Sequence, residues 1–495
     1  MLLNHFISIL QGCSSNNTGF NHLPEKQYVY IMIRLELHYF LSAFTIIKKR
    51  IQQATPVFKK SFAHRAFATL LELTLSFILL FSFMPALIAK QLSKISTHYI
   101  CPGLLNRFYN QNHQQPFWFR DPAKMAILVR FTVLADSAYQ LGLVSAEYSL
   151  HTMNLSLIPA DSATKMQLDK LCTDHLFAFA RDIYQGGNIM KWIKNDEVSH
   201  VAQSADEDFL LGKISSIKSP EELTTVLASL EPAGEEYSLL KAELKKQTAL
   251  HNNLKTAQLI AGINLYRWIH HFHFAQYIQV NIPAAILNYF ENDSLKLESK
   301  VVVGKIATRS PRFSTWCYQV VLYPYWNVPP DIGIRELLPR MKRNPATMDK
   351  DHMQLVTKSG RVVSHAGISW SQYNSHNFPY QFRQCTGCDN SLGVIKFNLT
   401  DPFDVYLHDT NVKLAFLRDI RFLSHGCIRV EKPIELGNYL LHNQLDSNYL
   451  KACYKDQNPR PVNLDKKIPV FVVYMPAQVR GDSVYYYKDI YRLFK

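Results

Sequence analysis

What this 495-residue sequence lacks narrows it first. It holds no zinc-finger array, no helix-turn-helix signature and no tail rich in lysine and arginine, so nothing in it favours nucleic acid as a partner. Charged residues are sparse, 19% against 47% hydrophobic, which excludes a disordered chain and leaves length for roughly two to four domains with a sizeable core. Acids are the scarcer sign, 40 against 54 lysines and arginines. A formal net charge of +14 suits nucleic acid, an acidic membrane surface or an anionic polymer, and bulk charge alone does not choose among them.

The apolar run that stands out is Ala66 to Ala89, with Glu72 as its one acid. About 20 apolar residues cross a bilayer. Lys48, Lys49, Arg50, Lys59, Lys60 and Arg65 precede the run and Lys90 follows it, a bias that favours an N-in orientation. Residues 66–89 therefore read as a signal peptide or signal-anchor helix behind a basic leader, 1–65, that is hard to credit as a folded domain. Ala89 has the small side chain a cleavage site needs while Leu87 does not, so cleavage and retention both stay open, beside a buried core helix. The length of the leader also allows a translation start at Met32.

Residues 97–275 carry a helical pattern. Leu168, Cys172, Leu176 and Phe179 recur on one face at period 3.6. Ser219-Pro220-Glu221-Glu222 reads as a helix start with a serine cap, a first-turn proline and a glutamate closing a capping box. At Tyr277 the period changes to two, and Ile278 to Ile282, Val301 to Val303 and Tyr318 to Trp326 read as strands. Residues 331–392 interrupt them as an insertion with its own helix, Ile334 to Arg343. Later, Ile468 to Met475 reads as a strand, and Arg480-Gly481-Asp482 as the turn of a hairpin that closes the sheet. The expected class is α+β: an N-terminal membrane or signal segment, a helical domain, and a mainly β domain, 276–495, with an inserted cap.

The chemistry concentrates between Tyr406 and Val430. Cys427 is preceded by Ser424-His425-Gly426, and His408 lies 19 positions upstream at the end of a short alternating run. A thiol becomes a nucleophile when an imidazole takes or shares its proton. His408 reaches it from a neighbouring strand, and His425 is the second candidate. Gly426 permits a tight turn, so the N–H groups of Gly426 and Cys427 are candidate oxyanion donors. Other readings of the same residues are a turn with a buried thiol, a zinc site drawn from Cys385, Cys388, His408, His425 and Cys427, and a disulfide between Cys385 and Cys388. Cys101, Cys172, Cys317 and Cys453 read as packing.

His408, fifteen intervening residues, then Ser424-His425-Gly426-Cys427 and Arg429 resemble the signature of the L,D-transpeptidases, enzymes with a YkuD-type catalytic domain that crosslink peptidoglycan. Tyr325-Trp326-Asn327-Val328-Pro329-Pro330, Arg383-Gln384, Asn390-Ser391-Leu392-Gly393, Val405 to Thr410 and Asp489-Ile490-Tyr491 are similar to its YcbB-like branch. Arg107-Phe108-Tyr109, Trp118 and Gly142-Leu143 resemble the helical scaffold domain of that branch. Only about twenty residues separate Tyr237-Ser238-Leu239-Leu240 from Gln258, which leaves no room for the small wall-binding module that many relatives carry there.

The resemblance implies a cysteine acyltransferase that needs neither cofactor nor metal. Cys427 is then the nucleophile, His408 the proton donor and acceptor, the Asp409 backbone carbonyl its orienter, and Gly426 part of the oxyanion hole. Tyr406, Ser424, His425 and Arg429 are expected at the substrate, with Ser424 read equally as a cap, His425 as a loop holder by hydrogen bonding ahead of the base, and Arg429 equally as a brace of the loop; for Trp370 and Tyr373 of the cap, packing is favoured over a grip on substrate. Implied partners are donor and acceptor stem peptides, with 3-3 crosslinks as product, and the membrane through an uncleaved N-terminal segment. The implied location is the periplasm or cell envelope, with carbapenems as covalent inhibitors. The same pair also serves L,D-carboxypeptidase trimming or attachment of protein to the wall, and a silent site leaves a wall-binding scaffold.

Overall fold

The computed structural model describes residues 98–150, 162–454 and 457–494. The expected leader and the apolar segment 66–89 lie outside the described residues, among which no helix is long and apolar enough to cross a membrane. From Tyr99 onward the chain forms one compact unit.

Helices come first: α1 (Pro102–Gln111), α2 (Pro122–Asp136), α3 (Ser162–Gln185), α4 (Glu197–Ser215), α5 (Pro220–Ser229), α6 (Glu235–Ala249) and α7 (Asn253–His270). The period in α3 does what its spacing requires. Leu168, Cys172, Leu176 and Phe179 are all buried, packed in one core with Phe108 of α1 and Phe131 of α2. Each large apolar side chain so buried contributes about 1.5–3 kcal/mol. At the start of α5 the Ser219 hydroxyl accepts from the Glu222 N–H at 3.2 Å. The Glu222 carboxylate reaches the Lys218 N–H at 2.8 Å, so the reciprocal bond lands one residue before the cap.

The strands that follow are β1 (Gln276–Asn281), β2 (Ile286–Glu291), β3 (Ser294–Gly304), β4 (Phe313–Leu322), β5 (Ile395–Leu399), β6 (Leu407–His408), β7 (Ile428–Val430) and β8 (Arg460–Val473). They pair in the order β4-β5-β6-β7-β3-β2-β1-β8, and β8 pairs again with β4, so the sheet closes on itself. Closure removes the free edges that would otherwise template pairing with another chain. The β6/β7 and β8/β1 neighbours are parallel. One face of the sheet forms a core of Val280, Leu287, Val301, Phe397, Ile428 and Val470 among others. On the other face, Tyr277, Phe471 and Val473 pack against Ala261, Leu265 and Trp268 of α7, which welds the helical part to the sheet.

The C-terminal hairpin, Ala477–Arg480 with Ser483–Tyr486, does not close the main sheet as its turn suggested. β8 reaches β4 without it, and the hairpin is a separate two-stranded sheet. Its Ala477 and Val479 pack instead on Tyr237, Leu240 and Leu244 of α6 and Leu259 and Ile263 of α7. A glycine on α7 makes the approach possible, because a Cβ on Gly262 would stand 2.5 Å from the Ala477 carbonyl oxygen.

Between β4 and β5 the insertion forms a four-stranded sheet in the order Trp326–Asn327, Gln381–Gln384, Met353–Val356, Val362–Val363. A helical run from Pro330 to Arg343 lies beside it, starting four residues before the expected Ile334. Leu337, Met341, Met348, Leu355 and Phe382 are its core. Trp370 is buried in that core and Tyr373 packs on it, so Trp370 is a packing residue of the cap rather than a grip on substrate.

Cys388 is bonded to Cys453, 65 residues away, and not to Cys385. This corrects the expected short-loop disulfide, removes Cys388 from the zinc set, and gives Cys453 a covalent partner where packing alone was expected. A two-residue spacing was the nearest pairing in sequence; the fold brings a distant thiol nearer.

Candidate active site

Cys427 and His408 arrive on neighbouring strands. β6 and β7 run parallel in the register Leu407 to Ile428 and His408 to Arg429, and the Ile428 N–H donates to the Tyr406 carbonyl at 3.2 Å. Side chains alternate between faces of a strand. Leu407, Ile428 and Val430 enter the core, so Tyr406, His408, Cys427 and Arg429 share the opposite face.

His408 is buried, and its Nδ1 is hydrogen bonded to the Asp409 carbonyl oxygen. Nδ1–H donates there, which leaves the Nε2 lone pair as the basic site. Burial pushes its pKa down to about 3, helped by the Arg429 and Lys396 cations and opposed by the Asp409 bond. The ring is therefore neutral at pH 7. Burial also raises the Cys427 thiol above its ordinary value, outweighing the hydrogen bonds from the Tyr406 main chain and phenol and the charge of Lys396. The pair rests as thiol and imidazole.

Tyr406 sits among these groups. Its ring centroid is 5.5 Å from that of His408, and the Lys396 ammonium lies 4.0 Å from its own. Burial, then the neighbouring sulfur, holds the phenol protonated, and the Trp326 side chain of the cap hydrogen bonds to it.

The turn carrying Cys427 is fixed from within. Gly426 has φ +127°, a conformation that L side chains rarely adopt. The Ser424 hydroxyl, buried, accepts from the Gly426 N–H at 3.1 Å and donates to the Cys427 carbonyl at 2.6 Å. Of the two readings of Ser424, these bonds make the cap, and the Gly426 N–H, expected at the oxyanion, donates to that hydroxyl here. The Gly426 carbonyl accepts from Ser310 Oγ at 2.6 Å. The Ser310 N–H in turn donates to the Tyr491 hydroxyl at 3.1 Å, which donates to the Gly304 carbonyl at 2.6 Å.

His425 faces the cap, not the nucleophile: its Nε2 is 2.7 Å from Glu336 Oε1. Glu336 sits in the π-helical turn Gly333–Leu337, a local widening of the kind found at functional sites. The imidazole thus holds its turn by hydrogen bonding, one of the two roles read for it, and ties that turn to the cap. The Asp409 carboxylate, for its part, is held by the Val394 N–H at 3.0 Å and by Lys413.

Lys396, Ser310 and Glu336 drew no attention in the sequence, and Trp326 and Tyr491 appeared only as family fragments. Lys396 left one signal, a lone cation in the apolar alternation Ile395-Lys396-Phe397. It pairs directly with His408 across β5 and β6.

Residues 275–464 match the family model of the L,D-transpeptidase catalytic domain, YkuD, and residues 103–244 match that of the Scaffold domain. Residues 275–464 are thus an L,D-transpeptidase catalytic domain. The chain is 29% identical over 396 residues to a Haemophilus influenzae chain provisionally named an L,D-transpeptidase, a match that covers 78% of this chain and 77% of that relative. Among solved structures it is similar to Mycobacterium tuberculosis L,D-transpeptidase 1, at 13% identity over 40% of this chain and 61% of that one, TM-score 0.16. An L,D-transpeptidase from Mycobacterium smegmatis gives 12% over 40% and 58%, TM-score 0.18. This chain thus spans less than two thirds of either solved chain.

Proposed function

We propose that this enzyme transfers the acyl group of a peptidoglycan donor stem from its terminal D-residue to the side-chain amine of a second stem, forming 3-3 crosslinks in the cell envelope. The reading rests on one observation: Cys427, Tyr406 and His408 stand on one face of two bonded parallel strands, with the imidazole held in a single tautomer by Asp409.

Cys427 Sγ attacks the carbonyl of the third stem residue as its proton passes to His408 Nε2, so no free thiolate accumulates. The C–N bond to the D-residue breaks, the leaving amine takes that proton, and a thioester remains. The acceptor amine then attacks the thioester and gives its proton to His408, from which the departing thiolate recovers it. The Cys427 N–H stabilises the oxyanion, with the Tyr406 phenol beside the sulfur as the nearest side-chain donor. Removing one such donor typically costs about 100-fold in rate.

Incubation with a carbapenem followed by intact-protein mass spectrometry tests this reading. The expected result is one covalent adduct on the parent and none on Cys427→Ala. An adduct on both, or on neither while circular dichroism shows a folded chain, contradicts it. Muropeptide analysis then separates outcomes: crosslinked dimers support transfer, and trimmed stems without dimers mean that water is the acceptor.

A further inference from the structure

One row of side chains crosses three strands next to the nucleophile. Lys396 on β5 pairs with His408 on β6, and His408 pairs with Arg429 on β7. Ile395 and Phe397 on either side of Lys396 enter the core, as do Ile428 and Val430 on either side of Arg429, so both cations stand on the face that carries Cys427. An ammonium and a guanidinium thus bracket one neutral imidazole.

Both cations are half-buried, and neither forms an ion pair among the described residues. The Lys396 ammonium lies over the Tyr406 ring and faces the Cys427 thiol, Asp404 and His408, and Arg429 faces Cys427 and His408. Burial lowers the pKa of each, so each is less comfortable as a cation here than in water. Two charges of one sign drawn partly out of water, with Asp404 facing Lys396 but in ion-pair contact with neither, destabilise the resting site. An anion bound in the row relieves that cost. Guanidinium and ammonium differ in use: the first offers two parallel N–H donors to a carboxylate, the second a point charge.

We propose that Lys396 and Arg429 form a two-cation cradle for a carboxylate of the donor stem, and that Lys396 determines specificity for donors bearing it. This rests on the transfer reading of Cys427 and adds the anion the site selects. A donor stem has two carboxylates close to the scissile carbonyl: the terminal carboxylate of the leaving D-residue, and the side-chain carboxylate of a diamino diacid at the third position. Lys396 acts on binding and orientation and exchanges no proton with the reacting atoms.

The test uses the full chain and synthetic tetrapeptide donors in three forms: both carboxylates free, the terminal one amidated, and the side-chain one amidated. For the parent, kcat/KM is expected to fall about 10-fold or more with one amide and little with the other, as for loss of a charge-assisted hydrogen bond. The sensitive amide names the carboxylate. In Lys396→Met the ratio between free and amidated donor should drop towards one, and in Lys396→Arg it should persist. Equal loss on all three donors, leaving the ratio unchanged, overturns the cradle, as does a parent that does not distinguish them. Should Lys396→Met abolish turnover, the same ratio is read as donor affinity in Cys427→Ala against Cys427→Ala/Lys396→Met. A carbapenem adduct on the parent with an unchanged ratio in Lys396→Met sinks the cradle alone; absence of any adduct sinks the transfer reading instead.

Discussion

Cys427 and His408 are expected to rest as neutral thiol and neutral imidazole, and a change of pH tests this directly. Burial raises the thiol above its ordinary value of 9.0, so at pH 7 fewer than about 1 thiol in 100 is ionised. An imidazole held at about 3 is protonated in roughly 1 molecule in 10,000 at the same pH. Iodoacetamide reacts with the thiolate alone, so alkylation of Cys427 should accelerate about ten-fold per pH unit from about pH 6 to 8. Cys385 is also half-buried, so peptide mapping must separate the two sites. A rate independent of pH between about 5 and 8 would signal a preformed thiolate–imidazolium pair and refute the argument. The same shift has a sign in stability. The folded pKa of His408 lies below its unfolded value of 6.5, so between about 3 and 6.5 the unfolded chain binds more protons. The stabilising contribution is complete above 6.5 and is lost as pH falls, by up to about 5 kcal/mol at 1.36 kcal/mol per unit. Replacing His408 with Gln should flatten that part of a pH series of denaturant melts.

Three further outcomes follow from the bracing of the site. Ser310→Ala leaves the buried Gly426 carbonyl without its 2.6 Å donor; the expected loss is about 1–3 kcal/mol in chemical denaturation, with kcat falling more than KM rises. Cys388→Ser opens a loop of 65 residues and should cost about 4 kcal/mol on the chain-entropy account, visible as a reductant-insensitive denaturation midpoint close to that of the reduced parent. Glu336→Ala removes the tether to His425; an exposed pair of this kind contributes about 0.2–1 kcal/mol, so KM for the donor should rise by no more than about five-fold while the melting temperature barely moves.

The parts of this architecture that were legible in the sequence are those set by local spacing. The α3 face at Leu168, Cys172, Leu176 and Phe179, the Ser219 cap, and the change of period at Tyr277 each depend on residues within a few positions of one another. The His408-to-Cys427 interval also carried, because two short parallel strands joined by one connection leave a narrow range of lengths. Strand order is a different matter. Nothing near Lys396 indicates that β5 will lie beside β6, and a lysine in an apolar alternation reads equally well as a solvent-facing residue. The Cys388 to Cys453 bond, the seat of the hairpin on α6 and α7, and the contact of His425 with Glu336 likewise join segments tens to hundreds of residues apart. Ser424 was legible only as one of two roles, a cap or a substrate contact. Its hydroxyl is close to the nucleophile in sequence, but the left-handed glycine that follows turns the backbone back on it and satisfies it internally.

The Tyr491 hydroxyl has a consequence for how the enzyme comes into being. It grips Gly304 and Ser310, and Ser310 grips the peptide unit just ahead of Cys427. A chain made from its amino end acquires Cys427 more than sixty residues before that phenol. Until the tail is in place the turn has its Ser424 bonds but not this outer clamp, so the last residues of the chain bear on the geometry around Cys427.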